Sequence, residues 1–239
     1  MKKTKEEEIK YKYYHWGSFL FQSQITSAEC ELILNEGKRC RKKSNDFRHE
    51  LAGHLSEEYK LSGNNKIAEG LKKYFHAYAV AYNTWRGDKG TMESKFQLTA
   101  LWINYMKAGD FNPPHEHAGD LSFVVYPEVP DELRQENKAF KGTMGGPGGI
   151  SWRYGEGNRQ CVNTVNLLPT TGDIFIFPAC LQHWVFPFRS KVERISVSGN
   201  VLFGKDSRTN YVGESKKEED INLSVGGGGG SNFDHSDRS

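Results

Sequence analysis

The chain has 239 residues, of which 26% are charged, and a formal net charge of +2. That length buries a full core and favours one large domain with terminal extensions, while the near-balanced charge offers no basic field for nucleic acid. The N-terminal lysines precede no apolar stretch, and nowhere is there a run of roughly 18 apolar residues, so the expectation is a soluble, cytoplasmic protein with no membrane partner. Four cysteines, Cys30, Cys40, Cys161 and Cys180, lack C-x-x-C spacing, which argues against a zinc knuckle or a disulfide framework.

In chain order, Thr26-Ser-Ala-Glu29 has capping-box spacing, and Cys30, Ile33, Leu34 and Gly37 follow on one face, predicting a helix over 27–41. Ile67, Leu71, Tyr74, Phe75, Tyr78, Tyr82 and Trp85 recur at three- and four-residue steps, predicting a long amphipathic helix capped at Asn64 or Asn65. Its aromatic stripe reads as core rather than as a ligand-stacking face. After a Gly-Asp-Lys-Gly turn at 87–90 the pattern changes to short apolar strands punctuated by Gly and Pro: Phe96 to Met106, Leu121 to Tyr126, Val162 to Leu168, Asp173 to Phe177, Trp184 to Pro187 and Arg194 to Phe203. Helices followed by many strands predict an α+β, mainly β fold, with the strands closing into a jelly roll and the helices supporting it. The boundaries expected are an extension at 1–16, one domain at 17–212 (helices to about 86, jelly roll about 96–203) and a charged, Gly-rich flexible tail at 213–239. Gly142-Thr-Met-Gly-Gly-Pro-Gly-Gly149 reads as a flexible loop and a candidate lid.

The chemistry centres on Asn112-Pro-Pro-His115-Glu-His117. Residues at i and i+2 of a strand share a face, and two prolines favour an extended approach, so His115 and His117 are candidate metal ligands. Downstream, Gly172-Asp173 opens an apolar strand, Pro178 breaks it, and His183 opens the next, delivering a third imidazole from a sheet rim. Arg194-x-Ser196 then places a guanidinium and a hydroxyl on one strand face, a suitable clamp for a carboxylate. Trp102, Phe123, Phe175 and Phe177 read as sheet core, while Asn104 and Asn200 flank the clamp strands. His15, His49 and His54 have no partner spacing.

These motifs, over roughly residues 17–203, resemble the iron(II)- and 2-oxoglutarate-dependent oxygenases, specifically the branch around prolyl 4-hydroxylases. The resemblance implies a double-stranded β-helix core of cupin-like type, with Fe(II) as metal and 2-oxoglutarate and O2 as cosubstrates. It implies His115 and His183 as the first and distal metal histidines, Arg194 and Ser196 as the grip on the far carboxylate of 2-oxoglutarate, and Tyr105 as a hydrogen-bonding partner of the cosubstrate. The family pattern is histidine-x-aspartate, whereas this chain has His115-Glu116-His117. Alignment on the following strand puts His117 at the aspartate position, with Asp120 as a rival through a bulged turn. Three neutral imidazoles leave the metal near +2, favouring a dianionic cosubstrate but also suiting Zn(II) or Cu(II). The activity implied is hydroxylation of a C–H bond in a protein, peptide or small-molecule substrate, a peptidyl proline among them, with succinate and CO2 as coproducts. The loop at 142–149, with Trp152 and Tyr154, is expected to cover that substrate. Two other readings compete: a cupin-like three-histidine metalloenzyme that does not use 2-oxoglutarate, in which Arg194 pairs with Glu193 or Asp173, and a metal-free jelly-roll binding module.

Overall fold

The computed structural model of the chain describes residues 17–48, 53–61, 65–87, 92, 95–157 and 162–203. The extension at 1–16, the tail, the turn at 88–90, the Asn64 cap, His49 and Cys161 lie outside the described residues.

A short strand β1 (Phe21–Gln24) leads into α1 (Ser27–Cys40), which opens on the expected capping box. Thr26 Oγ1 accepts from the Glu29 amide at 3.3 Å, and the Glu29 carboxylate accepts from the Thr26 amide at 2.8 Å, so two otherwise orphaned helix donors are satisfied. The same carboxylate accepts from the Tyr74 hydroxyl at 2.8 Å and pairs with Lys73 Nζ at 2.7 Å, tying α1 to α2 (Asn65–Arg86). Burial opposes ionisation there, yet Lys73, the Thr26 amide and the hydroxyls together hold the Glu29 carboxyl down at about 2. The aromatic stripe of α2 is core, as its spacing predicts: Phe75 meets Phe96 and Phe123 edge-on at 5.3 and 5.1 Å.

What the helices pack on is a six-stranded antiparallel sheet. It is built from β2 (Glu57–Lys60), β3 (Phe96–Met106), β5 (Leu121–Glu128), β8 (Asp173–Pro178) and β10 (Arg194–Phe203) together with β1, in the order β1-β8-β5-β10-β3-β2. A four-stranded sheet lies across it, made of β4 (Asn112–His115), β6 (Ile150–Arg153), β7 (Thr164–Leu167) and β9 (Gln182–Val185) in the order β4-β9-β6-β7. The mainly β double-sheet architecture expected from the strand pattern is therefore present.

Both faces of the large sheet are covered, so its strands read as continuous apolar runs rather than alternating ones. Leu101, Ile103, Tyr105, Val197 and Val201 face the helices, whereas Val124, Tyr126, Phe175 and Phe177 pack with Ile150 and Trp152 between the sheets. Strand boundaries shift from the sequence expectation chiefly in the small sheet, where β9 starts at Gln182 rather than Trp184 and β7 spans only Thr164–Leu167. Sequence reading missed β1, β2, β6 and α3 (Asp131–Ala139), each short; α3 starts after Pro130 with no side-chain cap. No helix among the described residues is long and apolar enough to cross a membrane.

Candidate metal and cosubstrate site

Between the sheets lies a cavity of about 330 Å³, and residues of both sheets line it. His115 sits on β4 directly opposite His183 on β9. His117 follows two residues on, its amide donating to the Ala179 carbonyl at 3.0 Å. The three rings converge, with centroid separations of 4.3 Å for His115 and His183, 4.9 Å for His115 and His117, and 5.1 Å for His117 and His183. One nitrogen from each lies within 4.8 Å of the others. Ligand bonds of roughly 2.1 Å ask for nitrogens about 3 Å apart, so small ring rotations complete a metal site.

Hydrogen bonds already select the ligand atoms. His115 Nδ1 is 2.7 Å from the Pro113 carbonyl and His183 Nδ1 is 2.9 Å from the Leu181 carbonyl. A carbonyl can only accept, so Nδ1 carries the proton in both rings and Nε2 keeps its lone pair. Protonation is disfavoured as well: burial and the neighbouring His115 push His183 down to about 3 and His117 to about 4, and burial lowers His115. Three neutral imidazoles in one desolvated place fit a transition-metal ion.

Asp120 does not join them. Its carboxylate accepts from the Phe203 amide at 2.7 Å, and its own amide and carbonyl pair with Val201 and Ala179. That pairing fixes the turn after His117 and directs the acid onto the end of β10, so the bulge that would have swung it round does not form.

At the other end of the cavity, Arg194 is 2% exposed. Its Nη1 donates to the Gly148 carbonyl at 2.6 Å, its Nη2 to Met106 Sδ at 2.9 Å, and its Nε to nothing. The guanidinium lies 5.2 Å from the centre of the Tyr126 ring. Burial lowers its pKa, and among the described residues no carboxylate contributes to holding the charge. The two acids proposed as structural partners are engaged elsewhere: Glu193 receives Arg41 at 2.7 and 3.0 Å, and Asp173 receives Gln22, Gln24 and the Thr170 amide. The reading in which Arg194 merely pairs with Glu193 or Asp173 is therefore wrong. Ser196, 4% exposed, shares the cavity-facing side of β10 with Arg194, as their spacing predicts.

Tyr105 requires a correction. It stands beside Asn104 on β3, and alternation turns it to the opposite face, where Arg41 lies 4.0 Å over its ring and Tyr59 packs edge-on at 6.0 Å. The tyrosine that does line the cavity is Tyr126, whose buried hydroxyl has no partner. Its signal was the period of two along β5, which sets Ser122, Val124 and Tyr126 on one face. Trp152 is also displaced from its expected role, because it is buried against Phe175 and Phe177 between the sheets, while Tyr154 is exposed. The end of the Gly-rich loop is pinned rather than free. Gly148, with φ +70, receives Arg194, Phe186 donates to the Gly149 carbonyl at 2.9 Å, and Asn137 donates to the Pro147 carbonyl at 3.1 Å.

Residues 100–200 match the family model described as "Putative 2OG-Fe(II) oxygenase". The match covers 101 of the 239 residues, the segment that carries the site. Among solved structures, the chain is similar to a prolyl-4-hydroxylase of Pseudomonas putida, at 14% identity and a TM-score of 0.52, covering 78% of this chain and 93% of that one. It is also similar to the viral collagen prolyl hydroxylase of Paramecium bursaria Chlorella virus-1 in its 2OG complex, at 12% identity and a TM-score of 0.49, covering 78% and 96%. A 2OG-Fe(II) oxygenase family oxidoreductase of Burkholderia pseudomallei follows at 15% identity, a TM-score of 0.48, and 78% and 84% coverage. No curated protein matches the sequence. The matched segment runs from within β3 to within β10, and thus contains the three histidines, Tyr126, Arg194 and Ser196.

Proposed function

We propose that the chain is an Fe(II)- and 2-oxoglutarate-dependent dioxygenase that hydroxylates a C–H bond, with a protein, peptide or small molecule as substrate and a peptidyl proline as one such target. His115, His117 and His183 hold the metal through one nitrogen each, and Arg194 with Ser196 receives the far carboxylate of 2-oxoglutarate. The observation that carries this reading is Arg194. A fully buried guanidinium without an acid is costly, and an arriving carboxylate supplies both the missing charge and acceptors for its donors. Its place in the same cavity as three metal-competent imidazoles makes the pair of features specific where each alone is weak.

Bound Fe(II), 2-oxoglutarate and O2 together supply oxidative decarboxylation to succinate and CO2, coupled to insertion of one oxygen atom into a C–H bond. The chain's own residues bind and orient. The carbonyls of Pro113 and Leu181 hold two imidazoles in the ligating tautomer. Arg194 fixes the depth at which the cosubstrate sits, and Tyr126 offers a hydroxyl beside it. The walls of Phe177, Val124 and Ile150 keep water from the reacting centre.

Anaerobic titration of the full chain with Fe(II) and then 2-oxoglutarate, followed by admission of O2 and assay for succinate, tests this reading. The expected result is Fe(II)-dependent succinate formation that fails in His183→Ala and in Arg194→Met. Metal binding that 2-oxoglutarate neither perturbs nor follows with turnover overturns it in favour of the three-histidine metalloenzyme.

A further inference from the structure

The wall of the cavity formed by β2, β3 and β4 has a chemistry that neither the metal nor 2-oxoglutarate explains. Glu58 on β2 is 1% exposed, lines the cavity, and has no partner for Oε2. Directly opposite on β3 stands Asn104, 5% exposed, whose Oδ1 is likewise unpartnered. Asn112 on β4 also lines the cavity, but its buried Oδ1 packs against Gly53 outside it. Two acceptor oxygens without donors lie on neighbouring strands of one desolvated wall, and each costs about 1–3 kcal/mol while unmet. They do not suit 2-oxoglutarate, whose carboxylates and keto oxygen can only accept.

Apolar surface surrounds them. Phe47, Leu55 and Trp102 line the same side, with the Phe47 and Trp102 rings 6.2 Å apart. Lys60 Nζ stands 6.0 Å from the Phe47 ring and Asp46 is held by Arg48, so neither fills the acceptor wall. The combination of one carboxyl, one amide oxygen and an indole face matches a group with several donors, a positive charge and a carbon stem.

Resting on the oxygenase reading above, we propose that Glu58, Asn104 and Trp102 form the substrate subsite and that the group bound there is an organic ammonium, the protonated amine of a substrate whose carbon skeleton extends toward the histidines. Across antiparallel neighbours, Glu58 faces Asn104 and Asn104 faces Ser196. Glu58 therefore lies two strand spacings, roughly 10 Å, from Ser196 of the carboxylate clamp, with Asn104 between them. Dianionic cosubstrate and cationic substrate then lie in adjoining parts of one cavity, and the first offsets the Arg194 charge that would repel the second.

The test is equilibrium binding of three matched probes, n-butylammonium chloride, 1-butanol and sodium butyrate, to the full chain at pH 9, where the Glu58 carboxyl is ionised and the amine is still protonated, by ligand-observed NMR, with and without 2-oxoglutarate. Butylammonium is expected to bind at least tenfold more tightly than butanol, with butyrate weaker still on that wall once 2-oxoglutarate occupies the clamp. Glu58→Gln is expected to erase the preference for the cation. Should that variant fail to fold by circular dichroism, Asn104→Ser carries the decision with an expected loss of about fivefold. Butanol or butyrate binding as well as butylammonium, or a preference that survives in the folded variants, overturns the proposal. The readout involves no iron and no turnover, so it can fail while the native chain still forms succinate, and it can succeed while that assay fails.

Discussion

The two faces of β3 and β10 share one backbone and differ in almost everything else. Toward the helices, Leu101, Ile103, Val197 and Val201 interlock with α1 and α2 as apolar core, and even Tyr105 finds Arg41 and Tyr59. Toward the small sheet, Trp102, Asn104, Met106, Arg194 and Ser196 surround space, and Asn104 and Arg194 carry buried atoms without partners. One face maximises dispersion and burial, while the other keeps desolvated polar groups unmet until a ligand arrives. Stability and recognition are thus separated by a period of two residues.

That separation can be broken most forcefully at Arg194. Arg194→Met is expected to weaken 2-oxoglutarate binding roughly a thousandfold, about 4 kcal/mol, as measured by calorimetry. The melting temperature should hold or rise, because a buried lone charge has been replaced by an apolar side chain. Next comes the opposite face, where Ile103 is fully buried. Ile103→Ala is expected to cost about 3 kcal/mol in urea unfolding and to leave 2-oxoglutarate affinity per folded molecule within twofold.

Glu58 gives a smaller effect with a definite sign in pH. Burial, aided by Asp46, raises its pKa from 4.5 to about 8. Between those values the unfolded chain has released a proton that the folded chain retains, so this group's contribution to stability falls as pH rises through the window. Glu58→Gln is expected to flatten that slope and to exceed the native chain by about 2 kcal/mol at pH 8, with the gap closing below pH 4.5. Thermal melts across pH show it. Smallest is the pair of tyrosines: Tyr126→Phe should weaken 2-oxoglutarate about fivefold, roughly 1 kcal/mol, whereas Tyr105→Phe should leave its affinity unchanged in the same titration.

Where chemistry was local, the sequence displayed it. A capping box needs four consecutive residues, and Thr26 to Glu29 form one. Histidines two apart on an extended segment, and Arg194 two before Ser196, reveal their shared faces without knowledge of any partner. Tyr105 was misread because the face it takes depends on the pairing of β3 with β10, in which Ser196 meets Asn104 and alternation turns the next residue away. Glu58 left no trace for a related reason. In Leu55-Ser-Glu-Glu-Tyr-Lys-Leu61 the apolar residues Tyr59 and Leu61 mark one inward face, and nothing local reveals that the other face is also covered. Asp120 was decided by a contact 83 residues away, with the Phe203 amide, a separation that no motif encodes.

The narrowness of β4 has a mechanical consequence. This strand is four residues long, lies at the edge of its sheet, and pairs with β9 through an irregular register between Asn112 and His115. An ion shared by His115, His117 and His183 joins residues 68 apart in the chain, and so removes loop freedom from the unfolded ensemble much as a covalent bridge does. At a hundredfold excess over its dissociation constant such an ion adds about 2.7 kcal/mol. The proposed metal centre and a short, irregularly paired edge strand are then the same place, and a chelator is expected to loosen β4 in the metal-loaded protein.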